Sequence, residues 1–248
     1  MKSNKINYKD KIYKYYSKIG IRGLAPENIS GFKQREPFFH NIIKNFFPRD
    51  KNASILEIGC GHGAFQYFIS KNGYMNSIGV DNSESQINEA KRLNIKNVMQ
   101  VDLISYLKII KNESLDVLIA IDVIEHFSKE EIDKIIEEFY RVLKKGGIII
   151  THQPNGESLF GGSMRYWDFT HELAFTRNSI AQIFLANGFL DVKSFEDKPL
   201  MHGWISSLRL FLWEFFVRPL FRFIIAVETG AADRDIILSR NFLTVIKK

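Results

Sequence analysis

The chain has 248 residues, 45% hydrophobic and 25% charged, which is enough apolar side chain for a sizeable core and excludes wholesale disorder. A single cysteine, Cys60, excludes an internal disulfide framework and any multi-cysteine zinc site. The net charge of +6 admits anionic partners, but beyond six lysines between Lys2 and Lys18 the basic residues are scattered, without the stripe of a nucleic-acid binder.

Residues 1–50 read as an N-terminal helical appendage, and 51–248 as the main domain. Tyr8, Ile12, Tyr15, Tyr16 and Ile19 fall near helical spacing, and 37–47 predicts a second helix stopped by Pro48. The polar start lacks the apolar stretch of a signal peptide, so the chain is expected in the cytoplasm. An alternation of strands and helices then begins. Strands are predicted at 54–58, 77–80, 97–101, 115–121 and 148–151. Helices are predicted at 64–72, from the capping box Ser83-Glu84-Ser85-Gln86, and from Ser128-Lys129-Glu130-Glu131 to a stop at Gly146-Gly147. This rhythm implies an α/β fold, a parallel sheet with helices on both faces. A long connection, 154–176, leads to a helix at 178–187. Final strands at 192–195 and 242–246 flank an insertion, 197–240.

The first chemical signal is Leu56-Glu57-Ile58-Gly59-Cys60-Gly61-His62-Gly63. Glycines after a strand permit positive φ and close approach of a ligand, and the following helix offers free N–H groups. Asp81 lies 22 residues after Gly59, at the next strand end, where an acid suits the hydroxyls of a ribose. Gly59-x-Gly61-x-x-Ala64 also satisfies a dinucleotide fingerprint, so a nicotinamide-dependent oxidoreductase stays open. Glu57, two residues before the first glycine, suits a cationic sulfonium or amino group. Asp102 and Asp122 end the third and fourth strands.

With these motifs in order, residues 50–195 resemble class I S-adenosylmethionine-dependent methyltransferases. The resemblance implies a Rossmann-like, seven-stranded, mostly parallel sheet whose last strand is antiparallel. It implies S-adenosylmethionine as cofactor, with Glu57, Gly59, Cys60 and Gly61 around its methionine part. Asp81 and Asn82 would take the ribose, Asp102 and Leu103 the adenine, Asp122 and His126 would sit below the methyl-bearing sulfur, and Val123 would also bind the cofactor. Cys60 also reads as a packing residue.

Methyl transfer to a hydroxyl needs alignment and a base. His126 and His152 follow strands four and five. His171, in Asp168-Phe169-Thr170-His171-Glu172-Leu173-Ala174-Phe175-Thr176, resembles a segment of ubiquinone-type and glycan methyltransferases. His171 is the first candidate base, His126 and His152 the next. No His-x-x-x-His pair or cysteine cluster is present, and no metal is expected, although His152, His171 and Glu172 could converge. Arg165, Tyr166 and Trp167 sit in a glycine- and aromatic-rich loop suited to a phosphate and a ring.

The stretch 203–227 carries Trp204, Phe211, Trp213, Phe215, Phe216, Phe221 and Phe223, interrupted by charges that argue against a membrane span. Glu214 and Arg218 are spaced for a helix ion pair, and Pro219 should bend or split the helix. Its faces suit the domain itself, a second subunit or a membrane surface. The tail is similar to methyltransferases of bacterial capsule and lipopolysaccharide pathways. That resemblance implies a small acceptor, a sugar or phosphorylated glycan precursor in polysaccharide biosynthesis, and no nucleic acid. A ubiquinone-type phenol, an amine acceptor, and a cofactor-binding interaction module are the alternatives.

Overall fold

The protein is described by a computed structural model over residues 8–14, 25–231 and 235–248. Helix α1 (Tyr8–Tyr13) is followed by a 3-10 segment (Ile29–Gln34) and α2 (Glu36–Phe46); the expected helical positions Tyr15, Tyr16 and Ile19 lie outside the described residues. The alternating part runs β1 (Ile55–Ile58), α3 (Ala64–Lys71), β2 (Ser77–Asp81), α4 (Glu84–Arg92), β3 (Val98–Gln100), α5 (Leu103–Ile109), β4 (Leu115–Ile121), α6 (Lys129–Val142) and β5 (Leu143–Pro154). There follow α7 (Gly161–Arg165), α8 (Arg177–Ala186), β6 (Asp191–Glu196), α9 (Trp204–Leu212), α10 (Arg218–Thr229) and β7 (Asn241–Lys247).

The sheet order is β3-β2-β1-β4-β5-β7-β6. Only β7 runs against its neighbours, pairing antiparallel with both β5 and β6. This matches the expected sheet and its antiparallel last strand. The order reverses between β1 and β4, and a ligand crevice opens at such a point beyond the carboxyl ends of the strands.

Each face of the sheet carries its own apolar cluster. One joins Leu118 and Ile149 to Phe139 of α6 and Phe184 of α8. The other joins Ile55 and Ile119 to Phe39 of α2 and Phe65 of α3. β4 lies between the two, and its residues 117–120 are fully buried, which explains their unbroken hydrophobic run.

Local signals set most boundaries. Ser128 and Glu131 form the expected reciprocal cap of α6. Thr176 and Ser179 cap α8 in the same way. The predicted Gly146-Gly147 stop is corrected: α6 ends at Val142, and both glycines lie inside β5. Gly146 takes φ 78°, and the β4–β5 register shifts between Leu115 and Val117, so the pair serves a bulge and not a helix end.

In the insertion, a π-helical turn (Trp213–Val217) separates α9 from α10, and Pro219 falls in the first turn of α10. The expected Glu214–Arg218 pair is replaced by two tethers to the start of the insertion and β6. Glu214 pairs with Lys198 at 2.8 Å, and Arg218 with Glu196 at 3.3 Å. Along α9 only Ser206 is buried, and along α10 no residue is.

Candidate active site

The turn after β1 is shaped by three glycines with positive φ, each answering a different constraint. At Gly59 a Cβ would lie 2.3 Å from Val123 Cγ2, so this glycine lets the turn pack on the loop after β4. At Gly63 a Cβ would meet Ile95 Cγ2 at 2.9 Å. At Gly61 it would meet nothing nearer than Gln86 Oε1 at 3.7 Å, so this position opens toward a ligand. Cys60 is buried beneath the turn against Gly79. Burial raises its thiol well above the ordinary range, as a packing role requires.

Asp81 braces the turn from β2. One carboxylate oxygen accepts the Gly61 N–H at 2.8 Å, and the other accepts the Ser83 N–H at 2.8 Å. Two bonds leave acceptor capacity on a carboxylate, so the ribose role remains compatible with this geometry. Glu57 is 3% exposed, and its Oε2 accepts from Gln66 Nε2 at 2.8 Å. Burial pushes its carboxyl up to about 8.

The turn opens into a cavity of about 890 Å³, within the range of small-molecule sites. Glu57, Gly59, Cys60 and Gly61 line it, together with Asp122, His126, His152 and His171. The predicted Asp81, Asn82, Asp102, Leu103 and Val123 are not among its lining residues. Asn82 and Asp102 are exposed beside the β2 and β3 ends, and Leu103 packs on the core. Asp102 caps α5, its Oδ1 accepting from the Ser105 N–H and hydroxyl at 2.9 and 2.7 Å.

Asp122 adopts φ 55°, rare for a non-glycine residue, and its N–H donates to His152 O at 2.8 Å. Its carboxylate meets His152 Nδ1 at 2.5 Å, while Asp197 lies 3.3 Å from Nε2. Burial alone would lower the His152 pKa, but the two carboxylates outweigh it and raise it to about 10. His152 is therefore an imidazolium at neutral pH, which corrects its place among the candidate bases.

His126 and His171 behave in the opposite way. Burial lowers His126 to about 4, and burial also lowers His171. Both imidazoles are neutral at pH 7, and their rings meet edge to face at 4.8 Å. Glu125 lies beside them, 1% exposed, with its carboxyl raised well above the usual range by burial.

The loop residues divide. Arg165 donates to His171 O and, at 2.7 Å, to Glu172 O, so its guanidinium secures the histidine loop and is not the free phosphate ligand the sequence suggested. Tyr166 is 82% exposed and does not line the cavity, whereas Trp167 does.

Sequence reasoning missed the walls supplied from the N-terminal side. Arg35, Phe38 and Ile12 line the cavity, and the Phe38 ring stands 5.2 Å from that of His152. Helix α1 bridges the crevice. Lys9 Nζ donates to His126 O at 2.7 Å and pairs with Glu172 at 3.3 Å, while Ser83 Oγ donates to Tyr13 O at 3.1 Å. The helical spacing of Tyr8 and Ile12 marked an element there but not its place. Lys198 and His202 extend the wall from the insertion.

Residues 56–151 match the family profile described as "Methyltransferase domain". O-methyltransferase 3 of Dictyostelium discoideum is 24% identical over 229 residues, covering 81% of this chain and 52% of that protein. The chain spans about half the length of the curated relatives it matches. A SAM-dependent methyltransferase from Archaeoglobus fulgidus has a similar structure, with TM-score 0.63 and 24% identity over 88% of this chain and 99% of that one. Phosphoethanolamine N-methyltransferase 2 of Haemonchus contortus, in complex with S-adenosyl-L-methionine, gives TM-score 0.61 and 17% identity over 95% and 60%. The sheet is thus that of the Rossmann-like methyltransferase fold.

Proposed function

We propose that this chain, with a methyltransferase domain at residues 56–151, transfers a methyl group from S-adenosylmethionine to a hydroxyl of a small acceptor. A sugar or phosphorylated glycan precursor is the favoured acceptor class. The observation that carries the reading is one cavity lined both by the Gly61 turn and buried Glu57 and by acids and histidines beyond β4 and β5.

When bound, S-adenosylmethionine supplies an electrophilic methyl group on a sulfonium sulfur. Glu57 stands ready for a cationic group, and Asp81 fixes the turn that approaches it. Asp122, held by His152, keeps the loop after β4 in its strained shape. The neutral His171 and His126 serve the acceptor hydroxyl. Arg35 in the wall supports an acceptor that carries phosphate.

A phenolic acceptor of ubiquinone type is the second reading, favoured by Phe38, Trp167, Phe169 and Leu200 in the same wall. The exposed Trp204, Phe215, Phe216 and Phe223 of the insertion, with the exposed Arg209, support peripheral contact with an anionic lipid surface. No helix among the described residues is long and apolar enough to cross a membrane.

The test supplies methyl-labelled S-adenosylmethionine and the full chain with nucleotide sugars, glycan precursors and phenolic quinone precursors. Label transferred to a sugar hydroxyl supports the first reading, and label on the phenol the second. Label on an amine, or binding of NAD in place of S-adenosylhomocysteine, refutes both.

A further inference from the structure

Glu125 is the least satisfied ionisable group in the cavity wall. It is 1% exposed, and neither carboxylate oxygen has a hydrogen-bond partner. A carboxyl taken out of water without a hydrogen-bond partner is costly, and here both oxygens are left open to a ligand that enters from the cavity. The described residues offer no cationic side chain within bonding distance of it; His171 Nε2, at 3.9 Å from Oε1, is too far for a hydrogen bond.

The two neighbouring imidazoles are oriented by their other nitrogens. Thr170 Oγ1 donates to Asp168 Oδ1 at 2.7 Å, so toward His126 it acts as an acceptor, taking the Nδ1–H at 2.8 Å. His171 Nδ1 lies 3.1 Å from Met164 O, and a carbonyl can only accept. These partners orient each ring with Nδ1 engaged and leave Nε2 for another partner. A backbone or hydroxyl partner on one ring nitrogen is the arrangement that presents the other to a metal.

The scaffold joins the groups across 45 residues of chain. The Glu172 and Leu173 N–H groups donate to Glu125 O at 2.8 and 2.9 Å, and Arg165 holds the carbonyls of His171 and Glu172. One ligating atom each from Glu125, His126 and His171 falls within 4.8 Å of the others. Donors around one tetrahedral metal with bonds of about 2.1 Å stand about 3.4 Å apart, so side-chain shifts of up to about 1.4 Å close the set.

We propose that Glu125, His126 and His171 bind one divalent transition-metal ion, of the Mn²⁺, Fe²⁺ or Zn²⁺ class, with its open positions facing the cavity. Two imidazoles and one carboxylate are the donor set these ions share, and three protein ligands leave room for a water or an acceptor oxygen. All three residues line the cavity beside Asp122.

If the methyl-transfer reading holds, an acceptor hydroxyl bound to the ion releases its proton to solvent. Its oxygen forms the new O–C bond as the S–C bond breaks, and the bonding pair returns to sulfur. His126 and His171 then act as ligands and not as bases. The site itself does not rest on that reading.

The experiment uses the full chain, stripped with EDTA and dialysed. Mn²⁺ is titrated with the free ion followed by electron paramagnetic resonance, and Zn²⁺ by calorimetry. The expected result is one ion per chain, weakened at least tenfold in Glu125→Gln and in His171→Ala. Circular dichroism and S-adenosylhomocysteine binding verify that the variants fold. No stoichiometric binding to the wild-type chain, or wild-type affinity in both variants, overturns the site. Stoichiometric metal binding to a chain that takes no S-adenosylhomocysteine supports the metal site and tells against the methyl-transfer reading alone.

Discussion

Replacing Glu57 with Gln should remove the pH dependence with which the cavity accepts a cationic cofactor. The side chain lies within β1 almost fully buried, and burial pushes its carboxyl up to about 8, opposed by the Gln66 amide and by Arg35. With that value only about 1% of the chains carry the charge at pH 6, and about 90% at pH 9. If S-adenosylmethionine requires the carboxylate, its apparent affinity rises close to 100-fold over that interval, or about 2.7 kcal/mol. At pH 7 binding releases about 0.9 proton, measurable by calorimetry in buffers of different ionisation enthalpy. The ligand's own amino group titrates near pH 8, and that contribution is common to both proteins. The difference between the wild-type and Gln profiles therefore isolates Glu57. Parallel profiles, or equal proton release, would refute the assignment of a cationic ligand to this carboxyl. Stability moves the other way. A raised native pKa means that unfolding releases a proton between about pH 4.5 and 8, so the ligand-free wild-type chain loses stability as pH rises through that window. The Gln variant should melt higher than wild type at pH 8 in the absence of ligand.

Gly59→Ala places a methyl group 2.3 Å from Val123 Cγ2 at φ 64°, and should cost about 2–4 kcal/mol in denaturant unfolding from overpacking and left-handed strain. Adding Val123→Ala should return the overpacking share; no recovery would place the cost elsewhere. His152→Asn removes the imidazolium between Asp122 and Asp197 and should cost about 3–5 kcal/mol at pH 7. The His152 pKa is raised from 6.5 to about 10, so its stabilisation is complete below pH 6.5 and lost as pH rises through 10. The wild-type melting temperature should fall across that range more steeply than the variant's. Phe215→Asp with Phe216→Asp should abolish co-sedimentation with phosphatidylserine vesicles. A concentration-dependent dimer that the same pair dissolves would assign the surface to a second copy instead.

The sheet was legible because its determinants are local. The apolar run of β4, the Ser128 and Glu131 box, and the Gly61 turn each act within a few residues. Gly146-Gly147 misled because a glycine pair marks a helix stop and a strand bulge equally well. Positions in the site that depend on chain-distant neighbours were not legible. His152 looks like a base until Asp197, 45 residues later, is placed on its second nitrogen. Arg165 looks like a phosphate ligand until two backbone carbonyls occupy it. The wall contributed by Arg35 and Phe38 came from a segment whose sequence reported a helix but no docking site.

Glu57 and Glu125 show why burial is the more informative signal once the fold is known. Glu57 stood out in the sequence as a ligand group, and Glu125 did not. In the folded chain Glu57 keeps one bond and Glu125 none, although each lies within the wall of the same cavity. A fold that only needed apolar packing at these positions would be more stable with leucine or glutamine there. If both proposals hold, cations from outside meet these two carboxyl groups: a sulfonium or ammonium at the glycine turn, and a metal ion at the histidine pair. Both sets of residues line the same cavity, as a methyl donor and the atom receiving its methyl group would then require.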